Sequence, residues 1–144
     1  SHNEMRTISV NISQAKEIFE YVDKNTDVVA IDEVQFLDEE AVKIIEFLAD
    51  KGIRVIVSGL DREFRGEPFT FMPKLLAVAE YVTKLTGVCV QCGAPETMTQ
   101  RIVNGKPARY NDPIVLIGAE ESYEARCRKC HKVYRAPKPY RELL

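Results

Sequence analysis

Cys89-x-x-Cys92 and Cys127-x-x-Cys130 contain all four cysteines of the chain, and no other feature limits its folds as tightly. A two-residue spacer lets both thiolates of a pair turn onto one ion, and tetrahedral Zn²⁺ takes four such ligands. The stretch between the pairs is longer than in many zinc ribbons. It reads as a hairpin plus a loop whose base the metal pins. The competing reading is two disulfides. However, the sequence contains no secretory apolar region and no apolar run of transmembrane length. Reduced thiols in paired CxxC motifs favour metal, and both points suggest a cytoplasmic protein with no membrane partner. A filled four-cysteine shell leaves no position for water or substrate, so the zinc is read as structural. His131 directly follows Cys130 and reads as an exposed neighbour rather than a ligand.

At 144 residues the chain is one domain or one plus a small appendage. Its formal net charge of −2 disfavours a duplex nucleic-acid partner, since no broad basic field is available to neutralise phosphates. The basic residues do crowd the C-terminal part, at Arg126, Arg128, Lys129, Lys132, Arg135, Lys138 and Arg141. Solvated side chains are the plain explanation for these.

Ahead of the first knuckle, apolar patterning alternates between helix and buried strand. Ile12, Ala15, Ile18, Phe19 and Val22 recur at helical spacing. Val28–Ile31 is a short continuous apolar run, as in a parallel-sheet strand buried on both faces. Asp38 is placed to cap a second helix with Ala41, Ile44, Ile45 and Leu48 inward, and Gly52 falls at its C′ position. Ile53–Val57 is a second strand. Pro73 opens a third helix with Leu75, Leu76, Val78 and Ala79, and Val82–Leu85 is a third strand. Such alternation implies a parallel sheet covered by helices. From Gly87 the character changes. Asn104-Gly105 marks a hairpin between Thr99–Val103 and Lys106–Tyr110, with short strands expected at Val115–Ile117 and Tyr123–Arg126. The expected domains are therefore an α/β core over residues 1–86 and a zinc-binding β lasso over 87–144.

Ligands of open α/β sheets bind beyond the carboxyl ends of the strands. The first strand ends in Asp32-Glu33-Val34-Gln35-Phe36 and the second leads to Leu60-Asp61-Arg62-Glu63-Phe64-Arg65. An apolar strand ending in Asp-Glu looks like a Walker-B element. There the Asp organises Mg²⁺ against ATP phosphates, and the Glu is free to orient or deprotonate a hydroxyl. Acidic residues after a strand are also common as helix caps. Phe36, Phe64 and Phe69 lie just past strand ends. Loop-to-core packing would explain them, and so would a slot for a planar base. The phosphate loop G-x-x-x-x-G-K-[ST] is absent, since Gly105-Lys106 continues into Pro107. Either the chain is not an NTP enzyme or the phosphate loop lies upstream of Ser1, and the opening at Ser1-His2 with no initiator Met fits the second reading. The 144 residues alone are expected to be inactive.

Ile31-Asp32-Glu33-Val34-Gln35-Phe36, Gly59-Leu60-Asp61 with Phe64 and Pro68-Phe69, and the two CxxC pairs with Tyr123 ahead of Cys127 together resemble the zinc-containing type II thymidine kinases. The match runs through nearly the whole chain in order, without the family's N-terminal P-loop segment; Ser1-His2 resembles the loop that follows it. The resemblance implies a P-loop NTPase-like parallel sheet with helices on both faces plus a small zinc-ribbon-like β lasso. It implies an ATP:thymidine 5′-phosphotransferase of nucleotide salvage. Glu33 matches the catalytic base, and Asp32 the acidic residue that organises Mg²⁺ with ATP. Phe36, Leu60, Phe64 and Phe69 match the nucleoside pocket, with Gln35 and Thr99 at polar or wall positions. Ile114, Leu116, Ile117, Gly118 and Tyr123 match the lasso, which reads thymine through backbone amides and carbonyls. Tyr123 would donate its hydroxyl to the sugar. A homotetramer and feedback inhibition by thymidine triphosphate are further implications. Two other classes compete with the kinase. One is a non-catalytic zinc-ribbon module for nucleic acid or protein, motivated by Arg126, Arg128, Lys129 and Lys132. The other is a DExx-type ATPase, which leaves the zinc lasso unexplained.

Overall fold

The computed structural model describes residues 9–115 and 118–144. The chain forms two compact units, Ser1–Gly59 and Leu60–Leu144. The division falls well ahead of residue 87, where the sequence changes character. Several of residues 60–70 bond to the zinc-knuckle half: Arg62 reaches Met98, Arg65 reaches the backbone of Tyr110, and Phe64 O accepts from His131.

In the first unit, β1 (Val28–Ile31) pairs in parallel with β2 (Arg54–Val57), with Val28 opposite Arg54 and Ile31 opposite Val57. Between them run a short 3₁₀ turn (Val34–Phe36) and α1 (Glu40–Asp50). Helix α1 buries Ala41, Val42, Ile44, Ile45 and Leu48, the face its periodicity predicts. It stops as expected. Gly52 takes φ +85°, its N–H reaches Ala49 O at 2.9 Å, and Ile53 N–H reaches Leu48 O at 3.1 Å. These bonds close otherwise orphaned carbonyls, and the left-handed backbone favours glycine. Asp38 does not occupy the N-cap position, which belongs to Glu39. Its Oδ1 accepts from Ala15 N–H at 2.7 Å, tying the preceding element to α1.

That preceding element is a correction. The helical spacing over 12–22 yields a six-residue 3₁₀ helix, Ala15–Glu20, in which only Ala15 and Ile18 are buried. A capping box between Gln14 and Glu17 starts it. Tyr21 N–H closes it onto Ile18 O at 3.0 Å, the tighter repeat that keeps such helices short. Phe19 lies half-exposed, edge-on to Phe47 at 5.8 Å.

The parallel sheet has two strands among the described residues, so the P-loop NTPase-like sheet is not established. Nor are β1 and β2 buried on both faces, since Val28 and Ile56 are half-exposed. The third strand expected at Val82–Leu85 does not form. Its β-branched residues suit a strand, but among the described residues no segment takes up its backbone N–H and C=O groups. Tyr81 and Leu85 stand in solvent.

In the second unit, α2 (Met72–Val78) has proline in its first turn and buries Met72 and Leu75. Leu76, Val78 and Ala79, expected inward, are only partly covered or exposed, since seven residues give a narrow buried stripe. A three-stranded antiparallel sheet follows in the order β4-β3-β5, from β3 (Met98–Val103), β4 (Lys106–Pro107) and β5 (Glu121–Arg126). Asn104 and Gly105 both take positive φ, +50° and +77°, the tight turn that matches strand twist. The returning arm ends at Pro107, short of the expected Tyr110, with one further rung beyond it, Ala108 N–H on Arg101 O at 3.0 Å. Val115 lies in no strand. Leu116 and Ile117, the rest of that expected strand, fall outside the described residues, as does Ser1-His2.

Candidate functional site and metal centre

The carboxylates of the first unit stand where the sequence places them, at the carboxyl end of β1. Ser58 N–H donates to Ile31 O at 2.9 Å, and Val34 N–H donates to Ser58 O at 3.1 Å. Ser58 Oγ donates to Asp32 Oδ1 at 2.5 Å, and the same oxygen accepts Glu33 N–H at 2.8 Å. Ser58 therefore ties the two strand ends together and fixes the Asp32 carboxylate. Glu33 adopts φ +50°, a conformation that side-chain-bearing residues rarely hold and that concentrates at functional sites. Both acidic residues are exposed. Gln35 is buried and Phe36 exposed on the 3₁₀ turn that follows.

In the second unit the four cysteine sulfurs lie within 4.8 Å of one another. Four ligands 2.3 Å from a tetrahedral Zn²⁺ stand about 3.8 Å apart, so this set fits such an ion. No disulfide links them. Each knuckle is a tight turn: Gly93 N–H reaches Cys89 O at 2.9 Å, and Cys130 and His131 N–H reach Cys127 O at 3.2 and 3.1 Å. Burial pushes the Cys89 thiol up, but backbone hydrogen bonds from Cys127, Cys92 and Gln91 outweigh it and bring it down to about 6. Cys127 is also lowered, above all by its hydrogen bond with the Cys130 backbone. Cys130 is pushed up to about 12, first by its hydrogen bond to the Cys127 side chain and then by burial. Some of the thiols thus ionise readily while another resists joining them. A divalent cation removes that mutual repulsion, and thiolates are the form that binds it.

His131 is not the exposed neighbour expected. It is half-buried, with Nε2 2.7 Å from Phe64 O. Arg126, part of the basic cluster that motivates a nucleic-acid module, is buried and engaged with Glu124 at 2.7 Å and Cys130 O at 3.0 Å. That arginine serves the knuckle and is not available to phosphates.

Of the proposed pocket residues in this unit, Phe64 and Phe69 are buried, Leu60 is half-exposed, and Thr99 is half-buried opposite Ala125. Ile114 is half-buried. Tyr123 is half-exposed, and its hydroxyl accepts from Arg101 Nε at 3.1 Å and lies 3.3 Å from Glu121 Oε2. Gly118 has φ +81° with open space where a Cβ would stand, so backbone conformation is what demands glycine there. Leu116 and Ile117 lie outside the described residues. The sequence reading missed Ser58, Arg65, Gln100 and Arg101. A signal for the last two existed: Gln100 and Arg101 are consecutive polar residues inside an otherwise strand-like run, where alternation allows only one to face water. Both are fully buried.

The family profile described as thymidine kinase matches residues 1–131. A mixed α/β chain with an Asp-Glu strand end and a four-cysteine cluster thus joins a class of phosphotransfer proteins. The chain belongs to the thymidine kinase family. Among the described residues no helix is long and apolar enough to cross a membrane.

Proposed function

We propose that the protein transfers the γ-phosphate of ATP to the 5′-hydroxyl of thymidine. The observation that carries this reading is the Asp32-Glu33 pair at the end of β1, in a chain whose family is thymidine kinase. Glu33 accepts the proton of the 5′-hydroxyl as its oxygen attacks phosphorus. Asp32, held by Ser58 Oγ, would hold Mg²⁺, which when bound neutralises charge on the transferring phosphates. In the second unit, Cys89, Cys92, Cys127 and Cys130 would hold a structural Zn²⁺, with the segment between the knuckles serving the nucleobase. Roles for Gln35 and Phe36 in one unit, and for Leu60, Phe64, Phe69, Thr99, Ile114, Gly118 and Tyr123 in the other, rest on the family resemblance. A cytoplasmic homotetramer under feedback by thymidine triphosphate rests on it alone.

The test is Glu33→Gln in the intact protein. Removal of a general base typically costs about 10²- to 10⁴-fold in turnover. That loss is expected in kcat, with thymidine binding by calorimetry changed by less than about three-fold, a shift of under 1 kcal/mol. Undiminished turnover would remove Glu33 from the chemistry.

A further inference from the structure

Arg65 and Arg101 converge on one short piece of backbone. Arg65 Nε donates to Tyr110 O at 2.5 Å, and its Nη2 donates to Asp112 O. Arg101 Nη1 donates to Pro113 O at 2.5 Å, and its Nη2 donates to Ile114 O. Four carbonyls in a five-residue stretch are thus fixed by two guanidinium groups. Both groups also stack on one ring, with their central carbons 4.4 and 4.2 Å from the Phe64 centroid. The Phe64 backbone is in turn held by His131, beside the second knuckle.

The arrangement is costly to build. Arg101 is 1% exposed, and its one ionic partner among the described residues, Glu121, stands 3.5 Å away. A buried guanidinium needs its donors satisfied, and here backbone carbonyls, Tyr123 Oη and the Phe64 π-face supply most of the compensation. Arg65 is paired with buried Glu63 at 2.5 Å, and Tyr110 Oη adds a 2.5 Å bond to Glu67. Among the described residues every buried side-chain nitrogen and oxygen has a partner.

Clamped carbonyls dictate where the neighbouring amides face. Across a trans peptide the C=O of one residue and the N–H of the next point in opposite directions. With Pro113 O and Ile114 O both turned onto Arg101, the N–H groups of Ile114 and Val115 both turn away from it. Neither donates within the described backbone. Two successive N–H groups presented on one side form a concavity suited to a carbonyl or anionic oxygen.

We propose that Arg65 and Arg101 are positioning residues for base recognition: by gripping the 110–114 backbone from one side, they present the Ile114 and Val115 amides to a carbonyl oxygen of the pyrimidine on the other. This inference rests on the proposed thymidine activity for the identity of the ligand, and the clamp itself does not. Lysine keeps the charge and loses the planar fork, so the test compares R65K and R101K with wild type as intact protein. Binding lost equally from the ground state and the transition state raises KM and leaves kcat unchanged. The thymidine KM is therefore expected to rise about ten-fold in each variant, with kcat within about three-fold and the ATP KM unchanged. Chymotryptic cleavage after Tyr110 should quicken as the segment loosens. If R101K fails to fold, R65K, whose side chain is 18% exposed, carries the test. A folded R65K with wild-type thymidine KM and wild-type cleavage overturns the proposal, as does an equal loss for ATP and thymidine. A wild-type protein inert toward thymidine overturns the functional reading instead. Faster cleavage in R65K would then still support the clamp, and unchanged cleavage would overturn it.

Discussion

Asp38 shows how one carboxylate can join two elements that are distant in sequence. It accepts the Ala15 N–H at 2.7 Å, and that bond above all holds its carboxyl below the usual 3.8. A lowered folded pKa contributes stability that is present above the unfolded value and lost as pH falls through the lower, folded one. Asp38→Asn weakens a charge-assisted bond and should lower the melting temperature at pH 7 by about 2–4 °C. The gap between the two proteins should close as pH falls below 3.8, which melts at stepped pH will check. Residues of this kind could not be read from the sequence, because their partners are set by tertiary contact. The clustering of the cysteines and the place of Asp32-Glu33 at a strand end could be read, because both are local: a two-residue spacer and the end of an apolar run. Ser58 acts through its hydroxyl on Asp32, a partner 26 residues away in sequence. Arg101 acts through its fork on the 113–114 backbone, a partner that its neighbours in sequence do not name.

At the scale of elements, the legible ones were those with their own start and stop chemistry. Helix α1 carries a full apolar stripe and Gly52; the β3–β4 turn carries Asn104-Gly105. Val82–Leu85 has the composition of a strand and no such punctuation, and whether it pairs depends on a neighbour that local sequence does not name. The 12–22 segment had the right spacing, but it shortened to a 3₁₀ turn once only Ala15 and Ile18 found cover. The hairpin offers a direct check. Gly105 sits at φ +77° with open space around a would-be Cβ, so substitution there tests backbone strain without a clash. Gly105→Val should destabilise the second unit by roughly 1–2 kcal/mol, the cost of a left-handed L-residue, read as a shift in urea midpoint at constant slope. A shift under a few tenths of a kcal/mol would mean that the turn contributes little to the sheet.

For the whole molecule, hydrogen bonds tie both cysteine knuckles to the rest of the second unit. The first knuckle is sewn to β5 by Val90 N–H on Ala125 O, and the second contacts the 60s segment through His131 on Phe64 O. Gln100 joins in, accepting Lys132 N–H at 2.8 Å and donating to Lys132 O at 2.8 Å. Each of these bonds leads from a knuckle to the sheet or to the arginine clamp, so releasing an ion held by the four cysteines should loosen both. Because an ion that binds only the folded state stabilises it by mass action, a strong chelator should lower the melting temperature of the second unit. The first unit has none of the cysteine ligands, and its transition should move much less. Hydrogen exchange resolved by segment separates the two: faster exchange is expected across 87–134 and little change across 28–57. Mild acid should act in the same direction, since protons compete with the metal for the thiolates. Metal content should therefore fall as pH is lowered, and return on neutralisation with added Zn²⁺ should restore the protection. Equal loosening of both units on chelation would show instead that the four cysteines stabilise the chain as one body.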